Sequence, residues 1–210
     1  MIESLNFFKP LGDAAHVEII RAMRGALSQT ELSTRLKFKH NRVSKWECGY
    51  PLKWDDFTRI CTATGYPLAE ALKVTYNFAG NPEDTSRLVL HFKRDNSIKT
   101  IADATESSVS TVKRWLSGEL TPAFPKMMAL MSYNSALLPQ FIATLIPPER
   151  LPQLGKTIEE HFRKCELVLE APESMAVLAA LHLSLYKNAP KHDPRTVSYT
   201  HLTLPTTYHV

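Results

Sequence analysis

Residues 28–49 read "SQTELSTRLKFKHNRVSKWECG". Ser28 followed by Glu31 is an S-x-x-E capping box, which satisfies two otherwise unpaired amides where a helix begins. Leu32 and Leu36 follow one turn apart on the same side. A short turn, "KFK", leads into "HNRVSKWECG", where Val43 and Trp46 lie three apart and face inward. Gly49 stands where a helix stops, and Pro51 follows it. Two short helices about a tight turn make a helix-turn-helix.

The neighbouring segments extend this pattern. "DAAHVEIIRAMR", 13–24, is an amphipathic helix with Asp13 as its N-cap, Val17, Ile20 and Arg24 on one side and Ile19 and Met23 beside them. "LKWDDFTRICTATG" is a fourth helix that buries Trp54, Phe57, Ile60 and Cys61, and "PLAEALKVTY" is a fifth. The chain then repeats itself. A slide of 69 positions carries Ser28 onto Ser97, Leu32 onto Ile101, Ser33 onto Ala102, Val43 onto Val112, Trp46 onto Trp115 and Gly49 onto Gly118. The second copy reads "SIKTIADATESSVSTVKRWLSG". Core, cap and glycine positions match without a gap, as in duplicated supersecondary units. "RLVLHFKRD" stands for the first helix, "PKMMALMSY" for the fourth with about one residue inserted, and "ALLPQFIATL" for the fifth. The linker lies at "NFAGNPED", where Gly80 and Pro82 break the helical pattern.

The 210 residues are 44% hydrophobic and 22% charged, enough to bury a core. Net charge is +4, and the excess is N-terminal: residues 1–76 hold 11 Lys/Arg against 8 Asp/Glu. Five basic residues and no acid lie between Arg35 and Lys45, a cluster that suits a polyanion, with a solvated basic face as the plain alternative. Cys48, Cys61 and Cys165 are too scattered for a disulfide framework or a zinc spacing, and fit a reducing cytoplasm. No signal peptide or membrane-spanning run is expected; the longest apolar stretch, "AVLAALHLSL", is too short to cross a bilayer. His161 and Cys165 lie i, i+4, but no further ligand is near, so a surface pair is expected rather than a metal site. No phosphate-cradling glycine loop, H-E-x-x-H or nucleophile elbow occurs, and neither an enzyme nor a cofactor is expected.

"GKTIEEHFRKCELVLEA" and "PESMAVLAALHLSLYK" predict an antiparallel helical pair that needs a partner surface, either the second unit or another subunit. The closing "VSYTHLTLPTTYHV" is threonine-rich and uncharged. It looks like translated sequencing-adapter read-through, and it is set aside from fold reasoning.

Residues 28–49 resemble the lambda-repressor-like, or Xre-type, DNA-binding family of phage and bacterial regulators. In that family one helix opens S-Q-x-E-L and the next ends near W/I-E-x-G; here these are Ser28, Gln29, Glu31 and Leu32, then Trp46, Glu47 and Gly49. The resemblance covers residues 13–76 well and 83–145 more weakly. It implies that the second helix of the motif enters the major groove while the first crosses the backbone. With Val43 and Trp46 inward, the outward positions are His40, Asn41, Arg42, Ser44 and Lys45. Asn pairs with adenine, and Arg or Lys with guanine. Gln29 matches the family's glutamine that holds phosphate and braces the recognition helix, and Arg35 and Lys39 are expected phosphate contacts. The family often has glycine in the turn where this chain has Lys37. Either Lys37 takes a left-handed conformation, at a cost of about 1 kcal/mol, or the turn is reshaped. In the second copy the outward residues are Ser108, Val109, Ser110, Thr111, Lys113 and Arg114, while Gln29 is replaced by Ile98. This copy either touches DNA or keeps the fold for dimerisation or packing. Trp46 and Trp115 are expected to pack in cores rather than stack on bases.

The expected protein is all-α and cytoplasmic, with no membrane association. A helix-turn-helix domain spans 1–78, a divergent second one 79–146 and a helical segment for dimerisation 147–196, before the anomalous tail 197–210. Its expected function is sequence-specific binding of double-stranded DNA as a transcriptional regulator. The alternative is a protein-interaction module, antitoxin-like or an adaptor, that uses the fold as a scaffold.

Overall fold

The computed structural model describes residues 14–38, 42–133 and 137–170. Among them there is no strand, and the fold is all-α. Five helices, α1 (Ala14–Arg24), α2 (Gln29–Arg35), α3 (Arg42–Glu47), α4 (Trp54–Thr64) and α5 (Leu68–Tyr76), are followed by five more: α6 (Thr85–Lys93), α7 (Ile98–Ala104), α8 (Val109–Leu116), α9 (Phe124–Tyr133) and α10 (Leu138–Leu145). A 3-10 turn (Pro148–Arg150) leads to α11 (Leu154–Glu170). Residues 1–159 form one compact unit holding both sets of five, and 160–210 form another. The N-cap expected at Asp13, the second helix of the C-terminal pair and the segment from Val197 lie outside the described residues.

Local chemistry explains the helix ends. The Ser28 hydroxyl accepts from the Glu31 amide at 3.1 Å, and the Glu31 carboxylate accepts from the Ser28 amide at 2.7 Å, so the capping box forms. Ser97 and Ser108 cap α7 and α8 by accepting from the amides of Thr100 and Thr111, and Asp84 caps α6. Gly49 and Gly118 follow α3 and α8 with left-handed φ of 94° and 78°. Lys37 takes the left-handed conformation at φ 55°, and its counterpart Glu106 does the same at 48°. The Phe38 amide bonds the Ser33 carbonyl at 2.9 Å and the Ser107 amide bonds the Ala102 carbonyl at 2.8 Å. The same turn is thus built twice without glycine, each at a modest conformational cost.

The buried residues repeat as well. Ile19, Ile20 and Met23 of α1 match Leu88, Val89 and Phe92 of α6, and Leu32, Val43 and Trp46 match Ile101, Val112 and Trp115. Trp54, Phe57, Ile60 and Cys61 of α4 match Phe124, Met127, Leu130 and Met131 of α9 at an offset of 70. The inserted residue therefore falls in the loop between Gly118 and Pro122, ahead of the fourth helix rather than within it.

The two sets meet through equivalent residues. Lys53 and Ala123 form an antiparallel bridge. The Trp54 amide donates to the Pro122 carbonyl at 3.0 Å, and the Phe124 amide donates to the Leu52 carbonyl at 2.7 Å. The Trp54 and Phe124 rings stack within 9° of parallel, and Phe57 lies 4.4 Å from the Phe124 centroid. α4 packs on α9 and α5 on α10. The linker docks on the same seam, where the Trp54 indole N–H donates to the Pro82 carbonyl at 2.9 Å. Asp55 accepts from the hydroxyls of Thr85 and Thr121. The start of α11 is held by the first set: the Glu18 carboxylate accepts from the amides of Gln153 and Leu154.

Because Phe57 is fully buried between the sets, Phe57→Ala is expected to lower stability by about 3–5 kcal/mol. Both sets should unfold in one transition in urea, and two separated transitions would contradict a shared core. The hydrogen bonds from Ser28 hold the Glu31 carboxyl below its ordinary pKa of 4.5. A lowered carboxylate pKa contributes stability that is present above 4.5 and lost as pH falls through the folded value. Glu31→Gln should therefore flatten the acid limb of the stability profile below pH 4.5.

Candidate nucleic-acid interface

α3 is a six-residue helix packed on α1 and α2. So short a helix depends on tertiary anchors, and Val43 and Trp46 supply them, both essentially buried. On its opposite face Arg42 and Lys45 are exposed and Ser44 is half-buried. Gln29 and Arg35 on α2 are also exposed. Lys39, His40 and Asn41, expected at the front of this face, lie outside the described residues.

Arg42 departs from the expectation of a side chain held out for bases. Its Nη2 donates to Asp56 Oδ2 at 2.7 Å, and its guanidinium lies 4.4 Å from the Phe38 ring centroid. Arg59 approaches the same ring at 4.1 Å, lies 3.9 Å from Asp56 and donates to the Leu36 carbonyl at 2.6 Å. Phe38 also meets Trp46 edge-on at 5.5 Å. Arg42 therefore clasps the start of α3 to α4 and to the turn. One carboxylate lies between two guanidinium groups, so the cluster keeps a net positive charge. Lys45 extends from the exposed face, with its ammonium 6.0 Å from the Tyr50 ring.

The far end of α3 is held by Glu47. Only 5% exposed, its carboxylate accepts from Arg24 Nε at 2.6 Å and from Gln29 Nε2 at 2.8 Å. Arg21 donates to the Glu47 carbonyl at 3.0 Å. A buried carboxylate needs such partners, because desolvation otherwise outweighs its attraction to any single one. Gln29 thus braces α3 through Glu47. Its side-chain donor is committed to Glu47, which leaves the exposed start of α2 as the part of this bracket turned outward.

The second copy keeps the apolar anchors, the closing glycine and a basic residue at the Lys45 position (Arg114), and changes the polar clamps. Val112 and Trp115 are buried, while Val109, Ser110, Lys113 and Arg114 are exposed. Ser108 Oγ lies 2.8 Å from both Ser110 Oγ and Thr111 Oγ1, which gathers three hydroxyls at the start of α8. Arg114 lies 3.7 Å from Glu119, a surface pair of little energetic weight. The positions of Arg21, Gln29 and Glu47 are taken by Leu90, Ile98 and Leu116, so the polar bracket is absent here. Asp56 is replaced by Lys126, which pairs with Glu106 in the turn at 3.8 Å.

Cys48 is exposed just after α3, and Cys61 is buried. Burial pushes the Cys61 thiol well above its ordinary range. Cys165 Sγ lies 3.6 Å from His161 Nε2, and no group of three metal-ligating side chains occurs among the described residues. No described helix is long and apolar enough to cross a membrane. Comparison with family models, curated proteins and solved structures returned no match.

Asp56, Arg59, Phe38, Arg21 and Arg24 carry no sequence signal of this grouping: one aromatic and four charged residues stand on separate segments and meet only in the fold. Removal of one partner tests the bracket: Glu47→Ala should cost about 1–3 kcal/mol in denaturant unfolding, because it leaves Arg24 and Gln29 without their acceptor. A change within a few tenths would contradict a structural role.

Proposed function

We propose that this chain binds double-stranded DNA with sequence preference and regulates transcription in the manner of lambda-repressor-like proteins, in the cytoplasm. The observation that carries the reading is the division of α3 by face. Val43 and Trp46 are buried, whereas Arg42 and Lys45 stand exposed on a short helix clamped at both ends. A rigid, basic, exposed helix of this kind suits the major groove, which admits a helix and offers guanine acceptors to Lys and Arg. The positive excess of residues 1–76 acts in the same direction by attracting phosphate. Arg35 and the start of α2 flank α3 as phosphate contacts, and they position the helix without reading sequence.

A protein-interaction module is the second reading, and one observation favours it. Leu90 is 59% and Val109 42% exposed on the second copy, where the polar bracket has become apolar. Apolar side chains displayed in this way are more typical of a protein contact than of a phosphate backbone.

Selection from a random duplex pool followed by gel shift decides between the two readings. The first expects enrichment of a shared sequence and affinity that falls steeply with salt. Lys45→Ala, on the exposed face, should weaken the selected duplex by about 1–3 kcal/mol if it reads a base. If it holds phosphate it should instead weaken all duplexes and lower the salt slope by about one. Arg42→Ala should in addition lower stability, since it unpairs Asp56. Absence of binding to any duplex at low salt would sink the DNA reading.

A further inference from the structure

We propose that the chain is built as its own dimer and that, resting on the DNA-binding reading above, it spans two half-sites of inverted orientation as a single molecule, α3 in one and α8 in the other. The seam between the two copies carries the argument. An isologous contact pairs a residue with its own equivalent, and each bond has a mirror bond with the partners exchanged. The Lys53–Ala123 bridge joins equivalent positions. The bonds Trp54 N–H to Pro122 O and Phe124 N–H to Leu52 O are one bond and its exchanged copy. Trp54 stacks on its equivalent Phe124, α4 packs on α9 and α5 packs on α10. Units that follow one another by translation would pair unlike surfaces, as head-to-tail contacts do. The copies are instead related by an approximate two-fold axis through the bridge.

A two-fold rotation leaves the component of every direction along its axis unchanged. Whatever the exposed face of α3 points toward along the axis, the exposed face of α8 points toward as well, while the two helices run in opposite senses across it. That is the geometry that matches inverted, not direct, half-sites. The reach is adequate. α3 ends six residues before the bridge at Lys53 and α8 ends seven before it at Ala123. At no more than about 3.6 Å per residue this caps the separation of the helix ends near ~50 Å, which admits half-sites of about 34–36 Å spacing.

α8 is equipped for display independently of the seam. It is held by Val112 and Trp115 and capped by Ser108, and it presents Val109, Ser110, Lys113 and Arg114. Apolar and hydroxyl side chains meet thymine methyls and mixed edges, whereas Lys and Arg meet guanine. Because these residues differ from Arg42, Ser44 and Lys45, the two halves of the target differ in sequence although their orientation is inverted.

The test uses the full chain and duplexes of about 30 base pairs selected from a random pool, long enough for two half-sites one turn apart. These are resynthesised with the second half inverted, direct or scrambled. The proposal expects one chain per duplex by native mass spectrometry, preference for the inverted form, and loss of about tenfold or more in affinity on scrambling. It also expects hydroxyl-radical protection to be lost over one half in the surface variant Lys113→Ala/Arg114→Ala, and over the other half in Lys45→Ala. Preference for direct repeats, two chains per duplex, or a one-half footprint indifferent to Lys113→Ala/Arg114→Ala overturns it and leaves DNA binding standing. Failure to bind any duplex overturns both.

Discussion

Trp54 and Phe124 each donate a backbone hydrogen bond to the residue that precedes the bridge residue of the opposite set, Pro122 before Ala123 and Leu52 before Lys53, and their rings stack across the same seam. The rest of the molecule is arranged about this contact. Two exchanged backbone bonds contribute on the order of 1 kcal/mol each. Burial of Trp54, Phe57, Phe124 and Met127 contributes more, roughly 1.5–3 kcal/mol for each large side chain. The apolar cluster therefore stabilises the seam, and the two directional bonds set its register. That register determines where α4 and α9 begin, and hence where the loops from α3 and α8 must lead.

The two copies meet one difficulty with different chemistry. A helix as short as α3 or α8 does not persist unaided. In the first copy, polar clamps hold both ends of α3: Arg42 on Asp56 in front, and Glu47 on Arg24 and Gln29 behind. In the second, Ser108 caps the front of α8, and Leu116 and Ile98 stand where the rear bracket would be. The polar version fixes orientation through angle-dependent bonds to a buried carboxylate. The apolar version relies on packing and leaves Leu90 and Val109 at the surface. The first copy is thus held by charged and polar partners and the second by apolar ones.

Much of this fold could be read from sequence because its signals are local. Ser28 with Glu31, Ser97 as a cap, and Gly49 with Gly118 mark helix ends through contacts spanning a few residues. The repeated spacing of Val43 and Trp46 with Val112 and Trp115 marks the buried face. What escaped the sequence depends on residues that meet only after folding. Arg42 reads as one more outward base, but its exposed position also faces Asp56, fourteen residues on. Glu47 reads as part of a motif, while its partners Arg24 and Gln29 come from other helices. The seam was invisible because "PLKW" and "TPAF" (residues 51–54 and 121–124) carry no pattern that announces pairing. The sequence allows a strained Lys37 or a rearranged turn, and Lys37 takes the left-handed conformation, as does its counterpart Glu106.

The most direct test of the central claim, that the exposed faces of α3 and α8 are the working surface, is an NMR titration of the isotope-labelled chain with a selected duplex. Amide shifts concentrated at Ser44, Lys45, Ser110, Lys113 and Arg114, with Val43, Trp46, Val112 and Trp115 still protected from exchange, are the predicted result. Shifts confined to the surface around Leu90 and Ile98, or no shifts at saturating duplex, would contradict it.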